Sequence, residues 1–262
     1  MNISLTDFLQ RPSSSEGGRS VIEHRGLEIP CYFEDRGHHT TFVTFSGALT
    51  PDVTELPAFV GWGTTRHLKA NVLMLSDPSL ALDPKLRLGW YAGSKQQPDL
   101  QSVLTRVIRA FACKTWVVMF GASGGGFAAL EQATRLPGSI ALVSNPQTDI
   151  LRYHERETAQ YLHLAWRAGL SESASLPFRH EVVTAYANPV DARVIYVQNN
   201  SDAFHISNHE EPFRAALHPD NEVIWVRGDF GDGHIGPDKE LFAQLFSAVT
   251  NEKRWAYMAA EI

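Results

Sequence analysis

Apolar residues fall along this chain in short, near-continuous runs separated by amphipathic stretches. The runs at 41–45, 71–75, 115–120, 139–143, 192–197 and 222–226 are rich in Val, Ile, Leu and Phe with little polar alternation. A strand covered on both faces requires that pattern, whereas a half-exposed strand alternates. Between the runs, residues 99–112, 125–135, 149–169, 209–217 and 237–249 carry apolar positions at helical spacing. Strands and helices alternating in this way predict an α/β fold: a doubly wound, mostly parallel sheet with helices on both faces. Two half-polar strand patterns flank Arg25-Gly26 within 20–34 and predict an opening hairpin.

Residues 1–20 end in the polar run Pro12-Ser13-Ser14-Ser15-Glu16-Gly17-Gly18-Arg19-Ser20, which has little to bury and predicts a flexible leader. Residues 21–262 then make a single domain. The segment 150–190 is longer than a crossover between parallel strands requires and carries Tyr153, His154, Tyr161, His163, Trp166 and His180. It is expected to fold as a helical cap inserted into that domain. The apolar C-terminal run Arg254-Trp255-Ala256-Tyr257-Met258-Ala259-Ala260 is expected to pack on the domain.

The chain has 262 residues, 44% of them hydrophobic, enough for one sizeable core. A net charge of −6 with no Lys/Arg cluster argues against a nucleic-acid partner. No stretch approaches eighteen consecutive apolar residues, so no membrane span is expected, and the start of the chain lacks the basic and apolar regions of a secretory signal. Cys31 and Cys113 lie in apolar surroundings without metal-like spacing and are expected to be buried free thiols of a reducing, cytoplasmic compartment.

The chemistry concentrates at Gly121-Ala122-Ser123-Gly124-Gly125, where an apolar run gives way at once to a small-residue helix. A strand that turns sharply into a helix at Gly-x-Ser-x-Gly exposes its serine beside the backbone N–H groups of the helix start. Ser123 is therefore the candidate nucleophile. Glycines merely packed on a neighbouring element are the plainer reading. A serine needs a base and the base an orienting acid. His234 lies past the last strand in the glycine-bracketed loop 228–236. Asp202 follows the run at 192–197, giving the chain order Ser, Asp, His, although a turn-forming role beside Asn199 and Asn200 is the alternative. Asp149 is the rival acid and equally a helix cap. Oxyanion donors are expected from Gly124 and from Gly47 or Ala48, in the loop after 41–45. Ser46 either orients that loop or meets substrate. Trp90 and Tyr91 either stack on a sugar ring or pack their connection onto the sheet, and His205 either contacts substrate or lines its loop. No metal-ligand spacing and no phosphate-binding glycine motif is present.

With the elbow at Ser123 and an acid and base after the last two long strands, the chain resembles the α/β-hydrolase superfamily over roughly residues 25–250. Phe45-Ser46-Gly47, Ser76-Asp77-Pro78, Trp90-Tyr91 and Asn145-Pro146-Gln147-Thr148-Asp149 are similar to its bacterial branch of capsule polysaccharide O-acetyltransferases and accessory-secretion acetyltransferases. The resemblance implies acyl chemistry at an ester or a glycan hydroxyl, with no resident cofactor and with acetyl-CoA as an available acyl donor. Polysaccharide biosynthesis is the implied setting. A non-catalytic hydrolase-like scaffold in a glycan-assembly or export complex is the alternative.

Overall fold

A computed structural model describes residues 2–10, 17–113 and 115–250. Among these, β1 (Asn2–Ser4), β2 (Gly18–His24), β3 (Leu27–Glu34), β4 (Thr40–Phe45), β5 (Asn71–Leu75), β6 (Trp116–Ala122), β7 (Ser139–Ser144), β8 (Ala192–Asn199) and β9 (Val223–Gly228) form one sheet. Their order is β1-β2-β3-β5-β4-β6-β7-β8-β9. The hairpin β2–β3 is antiparallel and so is β3 on β5, while every pair from β5 to β9 is parallel. The helices are α1 (Leu5–Gln10), α2 (Leu100–Phe111), α3 (Gly124–Ala133), α4 (Glu155–Tyr161), α5 (Glu211–Ala216) and α6 (Lys239–Val249), with several shorter helical turns.

The central strands are apolar on both faces because two cores sandwich the sheet. Along β7, Ala141 and Val143 enter one core, with the α2 and α3 side chains. Ile140 and Leu142 enter the other, with Leu245, Phe246 and Val249 of α6. All six β7 residues are buried, as their lack of alternation requires.

Three expectations are corrected. Residues 2–10 carry β1 and α1 instead of a flexible leader, because Ile3 and Leu5 are buried against the sheet. Residues 149–169 do not form one helix. Asp149 caps a short turn at Ile150–Arg152, α4 starts only at Glu155, and Arg167 ends the following wide turn at φ 57°. Tyr161, Leu162, Trp166, Phe178 and Tyr186 of the proposed cap are buried in the larger core, and the Tyr161 hydroxyl donates to the Gly93 carbonyl at 2.8 Å. Cys31 is buried, but Cys113 is exposed because it lies just beyond the end of α2. The run 254–260 lies outside the described residues.

Candidate active site

The strand order reverses between β4 and β6, so the connections leaving their carboxyl ends run in opposite directions and leave a crevice, the usual ligand site of such sheets. Ser123 stands there, between β6 and α3, with φ 54° and ψ −120°. A non-glycine residue holds such a conformation only when its surroundings impose it. They do so here through the glycines. A Cβ on Gly121 would lie 2.0 Å from the Gly125 carbonyl oxygen, and one on Gly125 would lie 2.4 Å from that of Phe45. Ser123 N–H donates to Ser144 O at 3.0 Å and Gln147 N–H to Ser123 O at 3.1 Å, which ties the elbow to the end of β7.

The loop after β4 closes over the elbow. A Cβ on Gly47 would come within 3.7 Å of the Ser123 Cβ. Ser46 N–H donates to the Tyr91 hydroxyl at 2.8 Å, and that hydroxyl donates to Leu75 O at 2.8 Å. The Tyr91 proton is thereby committed, so the Ser46 hydroxyl, 2.9 Å away, is the donor to it. Trp90 and Tyr91 themselves have φ 53° and 55°. The buried Asp77 carboxylate fixes them by accepting from Tyr91 N–H at 2.7 Å and Ser79 N–H at 2.9 Å. Burial pushes the Asp77 pKa up, outweighing those hydrogen bonds, which lower it.

Expected substrate contacts are corrected accordingly. Trp90 is 1% exposed, Tyr91 2% and Ser46 3%, so none of the three offers a face to a sugar. Tyr91 packs beneath the loop after β4, which Ser46 begins, and Trp90 packs against the start of α3. His205 is equally buried and lies under His234.

In the sequence, Gln147 is marked only as part of the motif 145–149, with no role of its own. It is fully buried; its Nε2 donates to Ser123 Oγ at 2.9 Å and its Oε1 accepts the Trp90 indole N–H. The available signal was its place in that motif, as an amide residue three positions past the end of the strand beside the elbow. Asn145, at φ 40°, is the second residue of that motif to which the sequence assigned no role. Its Nδ2 donates to Ile235 O at 2.9 Å, and its Oδ1 accepts Asn199 N–H at 2.7 Å. Asn199 in turn donates to Gly231 O and Gly233 O, both at 2.7 Å. These two buried amides staple the His234 loop to the same end of β7 that holds Ser123.

Within that loop His234 Nδ1 donates to Asp202 Oδ2 at 2.6 Å. Asp202 is 3% exposed, and its Oδ1 also accepts His205 Nδ1–H at 3.0 Å and His205 N–H at 3.2 Å. Burial acts to raise the Asp202 pKa, but the His234 hydrogen bond and the His205 interactions prevail and hold it below the ordinary carboxylate value. The His205 and His234 rings stack at 3.9 Å between centroids and 16° between planes. Burial, then the neighbouring His234, push His205 down to about 4, against the pull of Asp202, so it is neutral at pH 7. Burial, then His205, push His209 down to about 3. The Thr148 N–H lies 3.3 Å from His209 Nδ1, so His209 carries its proton on Nε2. Asp149 stands apart: its Oδ1 accepts Leu151 N–H at 2.9 Å as a helix cap, with His180 at 3.4 Å.

The ligand atoms of Asp202, His205 and His234 lie within 4.8 Å of one another. A carboxylate accepting one N–H bond from each of two imidazoles produces that spacing, and the cluster reads as a hydrogen-bonded unit. A cavity of about 250 Å³ opens beside the elbow, lined by Ala48, Leu88, Tyr153, His154, Glu157 and Gln160 among others. Leu88 lies where a Cβ on Gly124 would meet it at 2.5 Å, so this cavity borders the start of α3.

No family model matches the sequence, and no curated protein does. Solved structures are similar to it. The capsule O-acetyltransferase of Neisseria meningitidis serogroup A superposes with a TM-score of 0.67 at 13% identity, over 87% of this chain and 95% of that one. An S-formylglutathione hydrolase from Agrobacterium tumefaciens gives 0.59 at 13% identity, over 95% and 96%. Prolyl oligopeptidase B from Galerina marginata gives 0.59 at 15% identity, over 94% of this chain and 37% of that one. These are α/β-hydrolase-type structures, and together with the nine-stranded sheet and the serine elbow they establish that this chain has the α/β-hydrolase fold.

Proposed function

We propose that the protein is a serine-dependent acyl-transfer enzyme that works through Ser123, His234 and Asp202. The observation that carries this reading is a hydroxyl held at a strained strand–helix corner whose neighbouring loop bears an imidazole already oriented by a buried carboxylate. With Nδ1–H committed to Asp202, His234 keeps its lone pair on Nε2, the state a general base needs. Its side chain is 41% exposed and so accessible to substrate.

In the first half-reaction Ser123 Oγ attacks an ester carbonyl as His234 Nε2 takes the hydroxyl proton. The carbonyl oxygen gains the electron pair in front of Gly124 N–H and the Gly47–Ala48 loop. Collapse expels the alcohol or thiol, which takes the proton back from His234. In the second half-reaction water or an acceptor hydroxyl is deprotonated by His234, attacks the acyl carbon and frees Ser123. Esterase and O-acetyltransferase differ only in that second nucleophile.

Transfer to a glycan is favoured by the rim of the cavity. Tyr153, His154, Glu157 and Gln160 offer hydrogen-bonding groups suited to a polyhydroxylated acceptor. A variant of the N. meningitidis capsule enzyme has been solved with CoA, which supports acetyl-CoA as the donor to test. We place the enzyme in glycan or polysaccharide acylation, as a single domain. No helix among the described residues is long and apolar enough to cross a membrane. The buried free thiol of Cys31 fits a reducing compartment such as the cytoplasm.

The test is covalent. A fluorophosphonate should label the wild-type protein at Ser123, and Ser123→Ala should lose both label and acyl turnover while keeping its thermal transition. Full activity in Ser123→Ala would remove the proposal.

A further inference from the structure

We propose that Gln147 is a catalytic residue that assists departure of Ser123 Oγ during deacylation. The inference rests on the acyl-enzyme reading above and names one more group in it.

The argument starts from which end of the amide faces the serine. An indole N–H is a donor only, so the atom of Gln147 that meets Trp90 Nε1 must be the carbonyl oxygen. Nε2 therefore points at Ser123 Oγ, 2.9 Å away. Trp90 cannot turn aside, since it is 1% exposed and its ring packs against Tyr153 and Tyr161. The Gln147 backbone is also fixed to the Ser123 carbonyl. A fully buried amide with its polarity imposed from one end and its N–H aimed at the reacting atom is a preorganised donor.

What such a donor does depends on the step. The Gln147 N–H bond to the Oγ hydroxyl is already made in the free enzyme, so attack gains little from it. The ester Oγ of the acyl-enzyme is a weaker acceptor, and the bond strengthens only as that ester breaks. During deacylation the tetrahedral intermediate collapses the other way. The C–Oγ bond breaks and its electron pair goes to Oγ. Oγ takes the proton that His234 Nε2 removed from the incoming water, and the products are the carboxylic acid and the free Ser123 hydroxyl. The Gln147 N–H then stabilises the charge arriving on Oγ. Acylation should be indifferent to its loss, and deacylation should slow.

Gln147→Met removes the donor at similar volume. Gln147→Glu can still accept from Trp90 but offers no N–H in its ionised form. With p-nitrophenyl acetate as probe, both variants should show kcat lowered about 10–100-fold with kcat/KM nearly unchanged. An intact mass larger by one acetyl group should accumulate on Ser123 during turnover. A merely structural role would lower kcat/KM and fluorophosphonate labelling together with kcat. If wild-type protein labels at Ser123 and either folded variant keeps wild-type kcat, or loses kcat and kcat/KM equally, the inference is overturned while the proposed function stands. If wild-type Ser123 takes neither label nor acetyl group, both fall.

Discussion

Asp202→Asn is a sharp perturbation because the carboxylate serves three donors. Its Oδ1 accepts two bonds from His205 and its Oδ2 one from His234. An asparagine keeps one acceptor oxygen, and the site that satisfies two donors takes it. The NH₂ group is then left facing His234 Nδ1, where two donors cannot coexist. His234 must shed the Nδ1 proton and carry it on Nε2, which makes the ring a donor toward Ser123 at the moment a base is needed. Reversal of the tautomer in a serine triad costs about 10⁴-fold in turnover, or about 5 kcal/mol of barrier at about 1.4 kcal/mol per factor of ten. The half-buried Asp149 provides the control: it caps a turn through Leu151 N–H, and asparagine caps as well as aspartate. Asp149→Asn should stay within about threefold of wild type in turnover. The assay is ester hydrolysis across pH 6–9, paired with ¹⁵N NMR of the His234 ring to read which nitrogen carries the proton. Asp202→Asn activity within tenfold of wild type, or a greater loss in Asp149→Asn, would refute the reasoning.

Three further outcomes follow from the same geometry. His205 is pushed down to about 4 from an ordinary 6.5, so the unfolded chain binds more protons between those values. Stability is therefore full above pH 6.5 and falls on acidification, by about 3 kcal/mol at pH 4 at about 1.4 kcal/mol per pH unit. Urea unfolding at pH 7 and pH 4 checks this, and His205→Gln should flatten the dependence. Gly125→Ala drives a Cβ to 2.4 Å from the Phe45 carbonyl oxygen, which is backbone and cannot swing away. It should cost about 1–3 kcal/mol or more in thermal stability and abolish fluorophosphonate labelling as the elbow shifts. Tyr91→Phe leaves the buried Ser46 N–H without its acceptor, and should cost about 1–3 kcal/mol. Because Tyr91 anchors the Gly47 loop and has no exposed face, kcat should fall with KM little changed.

The sheet was legible in the chain because strands buried on both faces cannot alternate. The runs at 41–45, 71–75 and 139–143 each coincide with a strand to within a residue at either end. The elbow was legible for a related reason: strand, turn and helix meet within six residues, and local sterics demand small residues there. The 149–169 stretch misled because its aromatic spacing is helical while Asp149 and Arg167 break the backbone locally. Residues 2–10 misled because the partner that buries Ile3 is β2, beyond an intervening polar run.

Sequence alone determined the alternation of elements, the position of Ser123 at a strand end and the chain order in which Asp202 and His234 follow it. Tertiary structure alone decided which carboxylate accepts from His234, that Trp90, Tyr91 and His205 are buried supports, and that Gln147 reaches Ser123 Oγ. Local patterns record what one segment must bury, and a residue's neighbours within a few positions suffice to read them. The partners of Asp202 at 234 and of Ser123 at 147 are set by strand order and loop staples, and no short window of the chain contains both ends of those contacts.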